Sequence, residues 1–203
     1  NELGFSWKKY QVLHADSQQL QQLGQHCIAG YQHADDVLPL IRTGAIAGVY
    51  ITKRNVKNRP FAEIRAEIAM FQKVREFSGL PPLFIVTDQE GGLVSHLSPP
   101  LARLPALSTF VNKEFLSTSI SGTLVQAYAS IHAEGLKSLG VNVNLSPVVD
   151  LKISPQRHFV DRHSRIVDRA ISEDPYLVAE IALLYSRRLQ QTGIIPTLKH
   201  FPG

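Results

Sequence analysis

Cysteine is almost absent from this sequence, and long hydrophobic runs are missing altogether. The 203 residues include one cysteine, Cys27, so the chain cannot form an internal disulfide bond, and the apolar residues around Cys27 predict a small buried side chain. No apolar run approaches the roughly 18 residues of a membrane-spanning helix, so we expect no membrane span. A chain without disulfide bonds suits the cytoplasm, with the periplasm as the alternative, and a leader peptide before Asn1 stays open.

Several catalytic signatures are missing as well. The sequence contains no glycine-rich phosphate-binding loop, no G-x-S-x-G elbow and no zinc-type pair of cysteines. One segment carries metal-binding side chains, at His158, Asp161, His163 and Asp168, but their spacing is not typical of a metal site. Neighbouring arginines would also repel a cation; they are Arg157, Arg162, Arg165 and Arg169. We therefore expect no metal or cofactor, and a metal-dependent barrel enzyme that uses this segment is a minor alternative.

The excess of positive charge is small, with 21 basic and 17 acidic residues and a formal net charge of +4. Proteins that bind nucleic acid usually carry a stronger basic patch. The one basic cluster comprises Lys53, Arg54, Lys57 and Arg59 in a short polar segment without aromatic residues, which is typical of a solvated loop. We expect no nucleic-acid partner.

Apolar runs of strand character alternate with helical patterns along the whole chain. The predicted strands are Cys27 to Tyr31, Ala45 to Thr52, Leu83 to Thr87, Val141 to Leu145 and Ile194 to Leu198. Strands that alternate with helices indicate a parallel α/β fold with right-handed crossovers, and both doubly wound and barrel folds fit. We expect a single domain over residues 1–203, which is short for an eight-stranded barrel of roughly 250 residues.

Polar residues follow the later strands, at the edge of the sheet where α/β proteins bind ligands. The stretch F-I-V-T-D-Q-E-G-G ends in Asp88 and Glu90, and the last strand ends in Lys199 and His200. Asp88 and Glu90 could act as an acid and base pair, but we favour ligand binding by Asp88, because a carboxylate accepts hydrogen bonds from two adjacent sugar hydroxyls. The alternative for Lys199 and His200 is an ordinary solvent-facing strand exit.

Four motifs together resemble one family. V-T-D-Q-E-G-G, L-G-V-N-V-N-L-S-P-V-V-D, R-A-I-S-E-D-P and T-L-K-H-F-P-G occur in the order and at about the spacing of the N-terminal barrel domain of glycoside hydrolase family 3. The K-H-F-P-G ending is most similar to the bacterial β-N-acetylhexosaminidases of that family. The resemblance begins near Leu23 and implies a TIM-type (β/α)8 barrel of which this chain holds about the first five β/α units.

By this resemblance, four residues bind the sugar of the first subsite: Asp88, Arg169, Lys199 and His200. None of them performs the chemistry, because the family's acid/base His and nucleophilic Asp lie on segments after K-H-F-P-G. We therefore expect the 203-residue chain alone to be inactive and to need a complementary C-terminal segment. The family implies a retaining hydrolase without a cofactor that releases terminal β-linked N-acetylglucosamine during peptidoglycan recycling in the cytoplasm.

Two departures from the family pattern affect the site. Leu93 stands where the family usually has Arg after D-Q-E-G-G, and R-A-I-S replaces R-S-F-G, so Arg162 or Arg165 could compete with Arg169. We expect Glu90 to belong to the turn or to the layer behind the ligand. The alternatives are a non-catalytic carbohydrate-binding or assembly half that acts only with a partner chain, and a β-glucosidase or β-xylosidase of the same family.

Overall fold

The computed structural model describes residues 16–109, 119–152 and 163–201, together with Trp7, Tyr10, Gln11, His14 and Val111; at 119–121 it describes the backbone alone. Internal contacts divide the chain into two compact units, Asn1–Val86 and Thr87–Gly203. The expectation of a single domain over residues 1–203 stays a prediction.

The first unit contains a parallel sheet flanked by helices. Strand β1 (Ile28–Gly30) pairs with β2 (Gly48–Tyr50), which pairs with β3 (Phe84–Thr87), and both pairings are parallel. The helices are α1 (Ser17–Gly24), α2 (Ala34–Thr43), α3 (Lys53–Val56) and α4 (Phe61–Phe77). Each strand is followed by a helix before the next strand, as expected for βα units.

Local signals explain where these helices begin and end. Helix α2 starts with a capping box between His33 and Asp36, and it ends at Gly44, whose φ of 79° allows the left-handed C-cap. Helix α4 buries Ile64, Ile68 and Phe71 on one face. On the same helix, Arg75 is buried and donates to the carbonyl oxygens of three residues, Ile41, Ile46 and Pro81, which replaces the water that its charge has lost.

The second unit holds two further parallel strands and an antiparallel hairpin. Strand β4 (Gln89–Gly91) pairs with β5 (Val94–Ser95) in the hairpin, and β6 (Val143–Asn144) pairs in parallel with β7 (Ile195–Pro196). Beyond β6 and β7 the pairing resumes as an isolated bridge between Val148 and Lys199. The helices are α5 (Ser119–Leu139), α6 (Ile166–Arg169) and α7 (Pro175–Thr192), and one 3₁₀ turn covers Leu107–Thr109.

Helices α5 and α7 supply much of the core of this unit, including the fully buried Leu136, Leu139, Ile181, Tyr185 and Leu189. Helix α7 is capped by Asp174, which accepts from the N–H groups of Tyr176 and Leu177, with Pro175 at the first helical position.

The predicted parallel α/β class is confirmed, and a strand lies within each of the five predicted ranges. One local prediction is wrong, because Cys27 is exposed, beside the edge strand β1 whose Ile28 is also exposed. The basic cluster is a loop only in part: Lys53 and Arg54 lie in the short helix α3, whereas Lys57 and Arg59 follow it. Helix α1 is capped by Asp16. In the described part of the chain, no helix has both the length and the apolar character that crossing a membrane requires.

Candidate functional site

The candidate site lies wholly within the second unit, where parallel strands end. Asp88 directly follows β3, whose last residue Thr87 accepts from the N–H of Leu145 at 2.9 Å. The bridge between Val148 and Lys199 brings the segment after β6 beside the segment after β7. Because parallel strands end at one edge, this pairing places Asp88, Asp150 and Lys199 in the same region.

The D-Q-E-G-G turn is an ordered hairpin, which the sequence patterns did not predict. The Gln89 side chain is locked, because its Nε2 donates to the Ser98 hydroxyl at 2.7 Å and its Oε1 accepts from the Leu97 N–H at 3.0 Å. Gly91 has a φ of 91°, and a Cβ there would lie 1.9 Å from the Tyr128 hydroxyl oxygen. Glycine is therefore required where the strand turns away from the two acids.

Glu90 is the centre of the charged cluster. Arg169 grips its carboxylate with two hydrogen bonds, from Nε at 2.9 Å and from Nη2 at 2.7 Å. Lys199 Nζ lies 2.5 Å from the same carboxylate, and both the Glu90 and Arg169 side chains are largely buried. The hydrogen bonds to Glu90 raise the pKa of the Arg169 guanidinium, although burial acts in the opposite direction.

Lys199 joins the two acids of the turn. Its ammonium group contacts both Asp88 and Glu90, so one cation lies between two carboxylates. Asp88 also lies 3.9 Å from His96 Nε2, on the segment that follows the hairpin. Two carboxylates that contact the same ammonium group would repel each other in its absence, and Lys199 supplies the compensating charge.

A second carboxylate contacts His200 at the rim of the cluster. His200 Nδ1 lies 2.6 Å from Asp150 Oδ2, and His200 Nε2 lies 3.4 Å from Arg169 Nη2. The peptide bond between Lys199 and His200 is cis. At 44% exposure the His200 side chain is far more open than those of Lys199 and Asp150, at 13% and 15%.

A buried polar network lies behind the hairpin. Asn144 contacts the backbone of Gln89 and donates to the Tyr185 hydroxyl at 3.1 Å. That hydroxyl lies 3.0 Å from His132 Nδ1. Burial raises the pKa of Tyr185, against hydrogen bonds from Ser146 and Asn144, and lowers the pKa of His132 to about 4. His132 is therefore a neutral core histidine at neutral pH.

The structure brings all four predicted site residues, Asp88, Arg169, Lys199 and His200, into one charged cluster. Whether they bind a sugar stays a prediction. The sequence patterns did not assign Asp150 or His96 to the site, and the expected place of Glu90 behind the ligand stays a prediction. The position of Asp150 after a predicted strand was the available signal for including it.

The structure describes Arg165 but not Arg162, the two residues that could compete with Arg169. Arg165 pairs with Asp168 at 2.8 Å, so within the described residues it does not replace Arg169 at Glu90. Arg157, His158, Asp161 and Arg162 lie outside the described residues. Leu93 is exposed in the hairpin turn, where Arg103 donates to the Gly92 carbonyl oxygen from Nε and Nη2.

No group of three or more His, Cys, Asp or Glu side chains that could hold a metal ion occurs among residues 16–109, 119–152 and 163–201. Two carboxylates of the cluster already face Lys199 or Arg169. What the cluster offers is a set of donors beside a set of acceptors, which suits a ligand with several hydroxyl groups.

Known proteins are similar to this chain in sequence and in fold. The sequence model described as "Glycosyl hydrolase family 3 N terminal domain" matches residues 13–203. A β-hexosaminidase of Xanthomonas campestris pv. campestris (strain B100) is 31% identical over 179 residues, 87% of this chain and 49% of the relative. A β-hexosaminidase of Nitrosomonas eutropha is 32% identical over 159 residues, 78% of this chain and 42% of the relative. The chain thus spans about half the length of these relatives.

Solved structures include two proteins of similar fold. A family 3 β-N-acetylglucosaminidase from Paenibacillus sp. str. FPU-7 matches 91% of this chain and 33% of its own, with a TM-score of 0.76 and 28% identity. NagZ from Neisseria gonorrhoeae, in complex with N-trifluoroacetyl-D-glucosamine, matches 87% of this chain and 49% of its own, with a TM-score of 0.72 and 25% identity. This chain belongs to glycosyl hydrolase family 3 and corresponds to the family's N-terminal domain.

Proposed function

We propose that this chain carries the sugar-binding side of the active site of a retaining β-N-acetylhexosaminidase. The observation that carries the proposal is the cluster in which Lys199 joins Asp88 to Glu90 and Arg169 grips Glu90. Its charges are compensated internally before a ligand arrives. Such a site can bind a neutral sugar without leaving an ion buried and unpaired.

The residues divide into ligand contacts and supports. We assign Asp88, Arg169, Lys199 and His200 to the sugar hydroxyls, with the two cations as donors and Asp88 as an acceptor. Glu90 is assigned a supporting role, because Arg169 and Lys199 engage its carboxylate and a general acid or base needs access to the reacting group. Several hydrogen bonds to one ring supply the binding energy that holds it distorted.

The names of the relatives support an aminosugar substrate. The matching proteins include β-hexosaminidases, and one matching structure contains an N-acetylglucosamine analogue. We therefore propose release of terminal non-reducing β-linked N-acetylglucosamine through a covalent glycosyl intermediate. The acid/base His and the nucleophilic Asp would come from the family's later segments, as a complementary C-terminal part. Muropeptide-like substrates, peptidoglycan recycling and a cytoplasmic location belong to the same proposal.

The activity is tested on the full-length gene product with three nitrophenyl glycosides, the β-N-acetylglucosaminide, the β-glucoside and the β-xyloside. We expect rapid release of nitrophenol from the aminosugar and at least tenfold lower kcat/KM for the other two, because the family resemblance is to the aminosugar enzymes. Preferential cleavage of the glucoside or xyloside would replace the proposal with the corresponding glycosidase of the same family.

The alternative is a carbohydrate-binding half without catalysis, which the concentration of all four predicted sugar ligands in one unit favours. Titration of the 203-residue chain with N-acetylglucosamine, followed by NMR, separates binding from turnover. We expect Lys199→Met to abolish the shifts and Lys137→Met, an exposed lysine in the last turn of α5, to leave them unchanged. Binding by the full-length product without hydrolysis of any glycoside would establish this alternative.

A further inference from the structure

His200 lies between the carboxylate of Asp150 and the guanidinium of Arg169, which have opposite hydrogen-bonding roles. One ring nitrogen, Nδ1, is 2.6 Å from Asp150 Oδ2. The other, Nε2, is 3.4 Å from Arg169 Nη2. An ionised carboxylate only accepts hydrogen bonds, and a guanidinium only donates them.

These two neighbours are compatible with one form of the ring. Nδ1 must carry a hydrogen to donate to Asp150, and Nε2 must be unprotonated to accept from Arg169. The opposite neutral tautomer would direct a lone pair at the Asp150 carboxylate and an N–H at the guanidinium. A doubly protonated ring would satisfy Asp150 but set an N–H against the Arg169 donor.

Asp150 owes its place to strand register. The Val148–Lys199 bridge is extended by a hydrogen bond from the Val149 N–H to the Lys199 carbonyl oxygen at 2.8 Å. Asp150 directly follows Val149, and His200 directly follows Lys199. The backbone pairing of Val149 with Lys199 therefore brings the two side chains together. Arg169 contacts the other ring nitrogen of His200 while its Nε and Nη2 donate to Glu90.

We propose that Asp150 is a positioning residue that holds His200 as the neutral Nδ1–H tautomer, so that Nε2 acts as a hydrogen-bond acceptor at the rim of the cluster. The ligand part of this inference rests on the proposed function: a sugar hydroxyl would take the place of the Arg169 N–H as the donor to Nε2. His200 is the most exposed of the four proposed ligand contacts, which suits a group that meets the ligand. The site thus has an acceptor where the sequence alone allows either role.

The tautomer is measured without any sugar. Protein labelled with ¹⁵N-histidine is examined by two-bond ¹H–¹⁵N correlation at neutral pH, and the His200 signals are identified by their loss in His200→Gln. We expect a protonated Nδ1 and an unprotonated Nε2. A protonated Nε2, alone or together with Nδ1, overturns the proposal, and this result needs no variant of Asp150.

Variants of Asp150 test the cause. We expect Asp150→Leu to shift His200 to the Nε2–H tautomer, which free imidazole side chains prefer, and Asp150→Asn to keep the Nδ1–H form, because the amide oxygen still accepts. Asp168→Asn is the matched control, since Asp168 pairs with Arg165 in the same region, and it should leave the His200 signals unchanged. An unchanged tautomer in a folded Asp150→Leu protein overturns the proposal.

Ligand titration separates this inference from the proposed function. For a lost acceptor we expect Asp150→Leu to weaken N-acetylglucosamine binding about tenfold, with Asp150→Asn much closer to the unmodified protein. The Nδ1–H tautomer in a protein that binds no sugar would sink the proposed function but leave the role of Asp150 intact. Sugar binding by a protein whose His200 has the Nε2–H tautomer would support the proposed function but overturn the role of Asp150.

Discussion

Asn144 pairs with the backbone of Gln89 through both ends of its carboxamide. Its Oδ1 accepts from the Gln89 N–H at 2.9 Å, and its Nδ2 donates to the Gln89 carbonyl oxygen at 3.0 Å. Both residues are fully buried. Because Gln89 stands between Asp88 and Glu90, this pairing holds the backbone on which the two acids of the cluster are mounted.

The first prediction concerns this pairing. Asn144→Ala leaves a buried N–H and a buried carbonyl without partners, so we expect a loss of about 2 to 3 kcal/mol in the free energy of unfolding. Urea denaturation measures it. Asn142→Ala, two positions earlier and only half-buried, is the matched control and should cost clearly less. Equal losses in the two variants would mean that the contact with Gln89 contributes little.

The second prediction concerns the carboxylate of Glu90. Glu90→Gln removes the negative charge that holds Arg169 and Lys199 in place, so we expect both cations to reorient and the affinity for N-acetylglucosamine to fall about 10- to 100-fold. Isothermal titration measures the affinity. Glu134→Gln removes an exposed glutamate that lies 3.9 Å from Arg188, and it should change affinity less than twofold.

The contacts behind these two predictions could be predicted only in part from sequence patterns. The strand ends that carry Asp88, Asp150 and Lys199 could be predicted, because apolar runs of strand length mark the sheet and polar residues mark its edge. The sequence patterns could not predict which acid contacts which cation. Arg169 is 79 residues from Glu90 and Lys199 is 111 from Asp88, and strand register with a hairpin brings them together.

The hairpin that carries Glu90 could not be predicted for a related reason. A polar tripeptide before two glycines is typical of a solvated turn, but here Gln89–Gly91 forms a strand that pairs with Val94–Ser95. The pairing depends on tertiary partners, the buried Asn144 and the Tyr128 hydroxyl, which donates to the Glu90 carbonyl oxygen at 3.0 Å. Such partners leave no local signal in the sequence.

The third prediction tests the turn glycine. Gly91→Ala would place a Cβ 1.9 Å from the Tyr128 hydroxyl oxygen at a φ of 91°, so we expect a loss of about 3 kcal/mol or more. Gly193→Ala is the matched control, since Gly193 has a φ of 90° but no atom within 4 Å of its Cβ position. It should cost about 1 to 2 kcal/mol, the penalty of the left-handed backbone alone.

A double variant separates the clash from the backbone strain. Tyr128→Phe removes the hydroxyl that the new methyl group would strike, so Gly91→Ala should cost less in that background than in the unmodified protein. Thermal unfolding of the four proteins completes the cycle. Strict additivity would show that the hydroxyl is not the obstacle, and the effect would then come from strain at Gly91 and from the Pro105 carbonyl oxygen, 2.7 Å from the Cβ position.

The fourth prediction concerns pH and the core histidine. Burial lowers the pKa of His132 from 6.5 to about 4, so between these values the unfolded chain binds a proton that the folded protein does not. The free energy of unfolding should therefore rise with pH through this window and level off above pH 6.5. The full contribution is about 3 kcal/mol, because each tenfold difference in proton affinity between the two states corresponds to about 1.4 kcal/mol.

Urea denaturation at several pH values, compared between the unmodified protein and His132→Gln, isolates this contribution. Glutamine can still accept from the Tyr185 hydroxyl, which lies 3.0 Å from His132 Nδ1, but it does not titrate. The difference in stability between the two proteins should favour the histidine more strongly at pH 7 than at pH 4.5. A difference that stays constant across the window would show that His132 is protonated in the folded state or reaches water before unfolding, and its burial against Tyr185 argues against both.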